Sequence, residues 1–211
     1  MKKPLTHIVI TRMWYDREED LLDRIKMFKL TMLPSLLNQV DKNFDIGVLC
    51  QEKHRKLIEA IHPKLIPFFT TKTSGYIGKC WHIFSDWKDI SGLKKYDIQT
   101  NVESDDCVIP TFTQKIQEVV ADKTHTTHVH FQPLLRNYKT GEITKMRMRY
   151  GKDIHQSSPY SLYQPNKDNY IYIGKDSHTI FGKYAEESIL IPEGYTWLNI
   201  HDKNDSSTMM S

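Results

Sequence analysis

Glu103-Ser104-Asp105-Asp106 sets three carboxylates in four residues, directly after the strand-like run Tyr96 to Val102. An extended Glu-x-Asp points Glu103 and Asp105 the same way, with Ser104 between them. Hard divalent ions such as Mg²⁺ and Mn²⁺ take oxygen ligands of this kind, commonly one or two carboxylates plus substrate phosphates. The competing reading is an acidic cap on a helix starting near Pro110, since carboxylates favour helix N-termini. A second candidate is Trp197-Leu198-Asn199-Ile200-His201-Asp202-Lys203-Asn204. There His201, at a strand end, offers a neutral imidazole suited to Mn²⁺, against the alternative of an ordinary surface histidine. The third is His125-x-x-His128-x-His130, in which His128 and His130 share a strand face and His125 reaches round towards them. No fourth ligand stands close and there is no His-Glu-x-x-His, so satisfied or solvent-facing histidines are preferred over zinc.

Two cationic features complete the set. Lys145, Arg147 and Arg149 alternate with Met146, Met148 and Tyr150, giving a strand with one charged face, either solvated or turned towards a pyrophosphate. Ser74-Gly75-Tyr76-Ile77-Gly78-Lys79 opens a helix with glycines, which admits a phosphate to the helix N-terminus beside Lys79. It has neither the spacing of a P-loop nor a Gly-x-Gly-x-x-Gly.

The elements that must position these residues alternate over the first half. His7 to Thr11 reads as a buried strand. Residues 18 to 38 read as a helix with Leu22, Ile25, Met32, Leu33 and Leu36 on its apolar face and a kink or restart at Pro34. Phe44 to Cys50 is a second strand and 52 to 61 a second helix. Leu65 to Phe69 is a third strand, which Pro67 places near an edge. A helix over 76 to 90, a fourth strand over 96 to 102 and a helix from Pro110 to Val120 follow, with the proline in a first-turn position. Such alternation implies a mostly parallel sheet covered on both faces, with ligands at the carboxyl ends of the strands, where Glu103 to Asp106 falls. Beyond it, Thr127 to Phe131 reads as a strand, Lys139-Thr140-Gly141-Glu142 as a hairpin turn before Ile143 to Tyr150, and 151 to 169 as an irregular excursion. Ile171 to Ile173 and Thr196 to Ile200 read as short strands.

Composition narrows the class. The chain has 211 residues, and 29 Lys and Arg against 26 Asp and Glu leave a net charge of +3. The basic residues are scattered, which argues against nucleic acid as a partner. No apolar run approaches the ~18 residues of a membrane span, and the N-terminus lacks a signal-peptide core. Cys50, Cys80 and Cys107 are odd in number and far apart, which fits a reducing compartment and a cytoplasmic location. The expected organisation is one domain over 1–211. Within it, 1–110 reads as a Rossmann-like half and 111–206 as an antiparallel half. The polar tail 207–211 is readable as a linker to further domains.

Together these pieces resemble a glycosyltransferase of the A-type fold, and within it the rhamnosyltransferase group. An early strand ends in Thr-Arg (Thr11-Arg12), and a Leu-Pro-Ser-Leu-x-x-Gln segment falls on Leu33 to Gln39. An Asp-x-Asp-Asp motif falls on Glu103 to Asp106, and a closing Trp-Leu-x-x-x-His-x-x-Asn-x-Ser falls on Trp197 to Ser206. The chain is similar to the N-terminal glycosyltransferase domain of a large multidomain protein of chlorella viruses, which would make host cytoplasm its compartment. The resemblance implies an α/β fold with a Rossmann-like nucleotide-binding half, a mixed central sheet and a smaller antiparallel acceptor-side half. It implies transfer of rhamnose, or alternatively glucose, from a UDP-sugar donor to an oligosaccharide or glycoprotein-glycan acceptor, with retention of anomeric configuration. It implies Asp105 and His201 as ligands of Mn²⁺ or Mg²⁺, with Glu103, in place of the usual Asp, bound directly or through water. Thr11 and Arg12 would line the uridine pocket. Lys79, Glu103, Ser104 and Asn204 join the donor-binding set, and Asp105, Asp106 and Asp176 are the catalytic candidates. Rival readings are a metal-dependent phosphohydrolase and a non-catalytic carbohydrate-binding domain of the same fold.

Overall fold

The structure, a computed structural model, describes residues 4–15, 17–70, 88–132, 134–136, 143–145, 159–168, 170–172, 183–192 and 197–200. Its centre is a seven-stranded sheet. The strands β1 (His7–Met13), β2 (Asp45–Gln51), β3 (Leu65–Thr70) and β4 (Ile98–Asn101) run parallel, with β1 between β4 and β2 and β3 at the edge. Pro67 thus lies on an edge strand, where its missing N–H interrupts no ladder on the open side.

The break between α1 (Glu18–Leu30) and α2 (Met32–Leu37) comes at Thr31, three residues before Pro34. A proline ring collides with the carbonyl four residues earlier, here that of Leu30, so the helix must open ahead of the proline. Thr31 closes α1, its N–H and hydroxyl both donating to the Met27 carbonyl at 2.9 and 2.8 Å. A 3₁₀ turn over Glu52–His54 leads into α3 (Arg55–Glu59). The expected helix over 76–90 lies outside the described residues but for its end, where Lys88–Lys95 is 3₁₀. After β4 the chain makes the acidic turn and a short strand, β5 (Asp106–Val108), before α4 (Phe112–Val120). Pro110 precedes that helix rather than opening its first turn.

The second half enters the same sheet. β6 (Thr127–Phe131) lies as expected. The segment read as irregular contains β9 (Tyr160–Tyr163), which fits between β4 and β6 and is antiparallel to both. Pro159 and an inward Ser161 hide this strand from pattern reading, yet the Ser161 hydroxyl finds that of Thr100 at 2.8 Å, and Thr100 finds His7 Nε2 at 2.7 Å. β10 (Glu187–Ile191), also unforeseen, pairs parallel with β6. Ile171 and Tyr172 do not form the expected strand, because the Ile171 N–H and carbonyl are bonded to the side chain of Gln164 and the carbonyl also to Gln99. Side chains so placed satisfy the groups a ladder would use.

A second sheet has four strands in the order β5, β11 (Trp197–Ile200), β7 (Leu134–Arg136), β8 (Ile143–Lys145), antiparallel except between β11 and β7. The hairpin turn at 139–142 and the continuation of β8 through Met146–Tyr150, with Arg147 and Arg149, lie outside the described residues. One face of the large sheet (Val9, Met13, Ile46, Val48, Ile98, Val129) packs on the helices through Leu21, Phe28, Leu36, Phe112 and Ile116. The other face, with Ile8, Ile10, Leu49, Tyr160 and Leu162, packs on Leu93 and Tyr96. Among the described residues no helix is long and apolar enough to cross a membrane.

Candidate active site

The parallel strands β1, β2 and β4 end at one edge of the sheet, and the acidic turn follows β4 there. The Val102 N–H donates to the Ile10 carbonyl, extending the β1–β4 pairing to the threshold of Glu103. Asp106 opens β5, so a strand stands between the acidic run and α4 and the acids do not cap that helix.

Each carboxylate of the turn has its own environment. Glu103 Oε1 accepts from Arg12 Nη2 at 2.6 Å. Arg12 points to the opposite sheet face from Thr11, which is fully buried on the helix-covered side. Asp105 Oδ2 accepts from Arg24 Nη1, reaching up from α1, also at 2.6 Å, with the two side chains only 15% and 16% exposed. The ring of Tyr15, just past β1, lies 5.8 Å from the Arg24 guanidinium. Its phenol is pushed up, chiefly by burial, with Asp105 and Glu103 adding to the effect and Arg24 opposing it. Asp106 is 1% exposed and neither of its carboxylate oxygens has a hydrogen-bond partner among the described residues. Burial above all, then the charges of Asp105 and Glu103, hold its carboxyl well above the usual range. Ser104 is buried in the same turn.

The spacing of Leu33-Pro34-Ser35-Leu36-Leu37-Asn38-Gln39 has a physical consequence in this neighbourhood. The Val108 N–H donates to Ser35 Oγ at 3.3 Å. Gln39 Nε2 donates to the Ile109 carbonyl at 2.8 Å and to the Ser35 carbonyl at 2.9 Å. Gln39 Oε1 accepts from the N–H of Thr113, in the first turn of α4, at 3.1 Å. Ser35 and Gln39 therefore clamp the segment that leaves the acidic turn.

β11 brings the distant end of the chain to the same place. It runs antiparallel to β5 with Asn199 opposite Asp106, so Ile200 stands at the Asp105 side of the turn. His201 follows in sequence and lies outside the described residues, as do Asn204, Lys79 and Asp176. Among the described residues no three His, Cys, Asp or Glu side chains form a metal-holding group. His125 does not join His128 and His130. It is bonded to Glu187 at 2.9 Å, and Glu187 also takes Lys123. His128 and His130 stack with ring centroids 5.2 Å apart and turn their Nδ1 atoms to Ser188 at 3.0 and 3.5 Å. Burial lowers them to about 3 and about 4, so both are neutral and packed.

Arg24 and Tyr15 are the site neighbours that the sequence does not announce. Arg24 follows Asp23 on a helix with many charges, and only the fold turns it to the acidic turn. By donor chemistry alone the turn offers what a hard cation takes, three carboxylates in four residues, one with both oxygens buried and unpartnered among the described residues.

No curated protein matches the sequence. The fold is similar to crystal structures of S. aureus TarS. The structure of TarS 1-349 in complex with UDP-GlcNAc superposes with a TM-score of 0.62 at 14% identity, over 98% of this chain and 62% of that one. The same fragment in complex with UDP gives 0.59 at 13% identity, over 94% and 61%. The chain thus spans about three fifths of the length of these fragments, and only 37% of the full TarS chain. The model of the family described as "Putative rhamnosyl transferase" matches residues 10–211. With the acidic turn at the carboxyl edge of a mixed sheet and a fold like that of the A-type glycosyltransferases, the chain belongs to this rhamnosyl transferase family.

Proposed function

We propose that this domain transfers a sugar, rhamnose or alternatively glucose, from a UDP-sugar to a hydroxyl of a glycan, with Mn²⁺ or Mg²⁺ bound at the acidic turn. The observation that carries the reading is the turn itself: Glu103, Asp105 and Asp106 at the end of β4, flanked by Arg12 and Arg24, in a chain of this family. Asp105 and His201 are the proposed ion ligands, with Glu103 direct or through water. The register of β11 supports the pairing, since Ile200 stands beside the turn and His201 is the next residue. That TarS was crystallised with UDP-GlcNAc and with UDP supports a uridine nucleotide as the donor's handle.

The transfer breaks the bond between the anomeric carbon and the diphosphate and joins that carbon to the acceptor oxygen. Negative charge grows on the departing diphosphate. A divalent ion would stabilise that charge as a Lewis acid. Arg12 is proposed to line the uridine pocket with its side chain and Thr11, whose side chain turns to the helix-covered face, with its backbone alone, while Ser104, Lys79 and Asn204 complete the donor site. Arginines near the turn add fixed positive charge where the leaving group develops its own. The acceptor side must hold one hydroxyl against the anomeric carbon, a task of positioning. Retention is the proposed outcome, the proton of that hydroxyl passing to a phosphate oxygen on the same face, so that no dedicated base is required; should the product be inverted, Asp176 is the proposed base, with Asp105 and Asp106 at the donor.

The test is a panel of nucleotide sugars with Mn²⁺, read as release of free UDP, followed by proton NMR of the first-formed product. UDP-rhamnose turnover lost in Asp105→Ala supports the reading. Turnover indifferent to the sugar, with simple phosphoesters cleaved as well, makes the domain a phosphohydrolase instead.

A further inference from the structure

The acidic turn already holds cations of the protein's own. Arg24 Nη1 lies 2.6 Å from Asp105 Oδ2 and Arg12 Nη2 lies 2.6 Å from Glu103 Oε1. The Arg24–Asp105 pair is mostly shielded from water, which strengthens the attraction and weakens screening by salt. A divalent ion arriving alone therefore finds its carboxylates neutralised, and to reach Asp105 it must displace a guanidinium of its own sign. A nucleoside diphosphate reverses that balance. Its oxygens offer the displaced guanidinium the planar, two-pronged partner it favours, and its charge offsets the incoming ion. The Tyr15 ring beside the guanidinium gives it a resting surface off the carboxylate, through a cation–π contact.

We propose that Arg24 is a built-in stand-in cation at Asp105. It keeps a bare divalent ion out and yields only when the nucleoside diphosphate arrives, so ion and donor enter together. The inference rests on the reading above that Asp105 is an ion ligand. Arg24 is thus a positioning residue whose signature is the dependence of ion affinity on nucleotide.

The experiment is a Mn²⁺ titration followed by electron paramagnetic resonance, with and without UDP. It uses the wild-type chain, the neutral variants Arg24→Gln and Arg24→Met, and the charge-retaining Arg24→Lys, with folding checked by circular dichroism. Wild type is expected to bind Mn²⁺ far more tightly with UDP than without. The neutral variants should bind bare Mn²⁺ at least about tenfold more tightly than wild type, and so depend less on UDP. Arg24→Lys should stay close to wild type. Met keeps the aliphatic stem in place should Gln disturb the helix. Bare-ion affinity unchanged or weakened in the folded neutral variants, with wild-type Mn²⁺ binding in UDP intact, overturns the stand-in role and leaves the metal reading standing. So does wild type that binds Mn²⁺ equally with and without UDP. No Mn²⁺ binding to wild type even with UDP overturns both.

Discussion

Gln39 joins α2 to the start of α4 by hydrogen bonds to three residues while only 1% exposed. Replacing it with leucine keeps the bulk and removes every one of them. The Thr113 N–H sits in the first turn of α4, where no intrahelical carbonyl can take it, so it is left buried and unpaired. That orphan costs about 1–3 kcal/mol, and the two bonds to carbonyls about 1 kcal/mol each. Burying a leucine there returns about 1–2 kcal/mol, which leaves a net loss of roughly 3 kcal/mol. In a domain of this size that lowers the melting temperature by about 6–12 °C. Gln39→Glu keeps an acceptor for Thr113 but sets a carboxylate against two carbonyls, and should be no milder. Urea and thermal unfolding of the purified variants give the measurement. A Gln39→Leu protein within about 1 kcal/mol of wild type would refute the clamp and make the glutamine incidental.

Asp106 has a carboxyl raised by burial and by its acidic neighbours, so in the folded state it keeps its proton after the unfolded chain has lost it. Stability is then fully present below about pH 4 and lost as pH rises, by up to about 1.4 kcal/mol per unit, through the folded-state value. In chelator, Asp106→Asn should remove that slope in urea melts between pH 5 and 8, and parallel curves for the two proteins would contradict it. His7, His128 and His130 are shifted the other way, to about 3, about 3 and about 4. Their contribution is complete above about pH 6.5 and falls away with acid, so stability should drop by several kcal/mol between pH 7 and pH 4.5, and a flat profile would count against neutral burial. At Gly47 an added Cβ would meet Ile8 Cδ1 at 3.0 Å and Phe68 Cε2 at 3.1 Å, so Gly47→Ala should cost about 1–3 kcal/mol in denaturant, and a stabilised variant would show that these side chains yield freely.

The parallel strands β1 to β4 were legible because they are apolar, mostly β-branched runs bounded by polar turns, as at His7-Ile8-Val9-Ile10 and Asp45-Ile46-Gly47-Val48. The edge position of β3 was legible from one proline. β9 was not, because four residues after Pro159, with a serine facing inward, carry no periodicity of their own. The partner of its Ser161, Thr100, is 61 residues away in sequence, and Thr100 in turn bonds His7, further off still. The same holds for the segment at Ile171, where local apolar character suggested a strand and two glutamine side chains took its backbone groups instead. At the site, the acidic turn stood out as a cluster of like charges. The arginines that hold it did not, since Arg24 is one cation among many on a charged helix and its partner is 81 residues further along the chain. Ser35 and Gln39 were visible only as a pattern. Their use became clear once α2 lay against β5.

The position of β9 bears on how the chain is made. β4 and β6 do not pair with each other, and the four residues Tyr160 to Tyr163 fill the space between them, bonded on both sides. During synthesis, β1 to β4 can associate as soon as they leave the ribosome, but two strand edges then wait, open, for the later segment. An open edge is a template for any other strand nearby, including that of a second nascent chain. Closing the sheet also joins residues about 60 apart in sequence on the β4 side, a slow kind of contact to form. The joining of β4 to β6 therefore falls on one of the shortest strands of the sheet, and productive yield depends on how long those two edges stay uncovered before it docks.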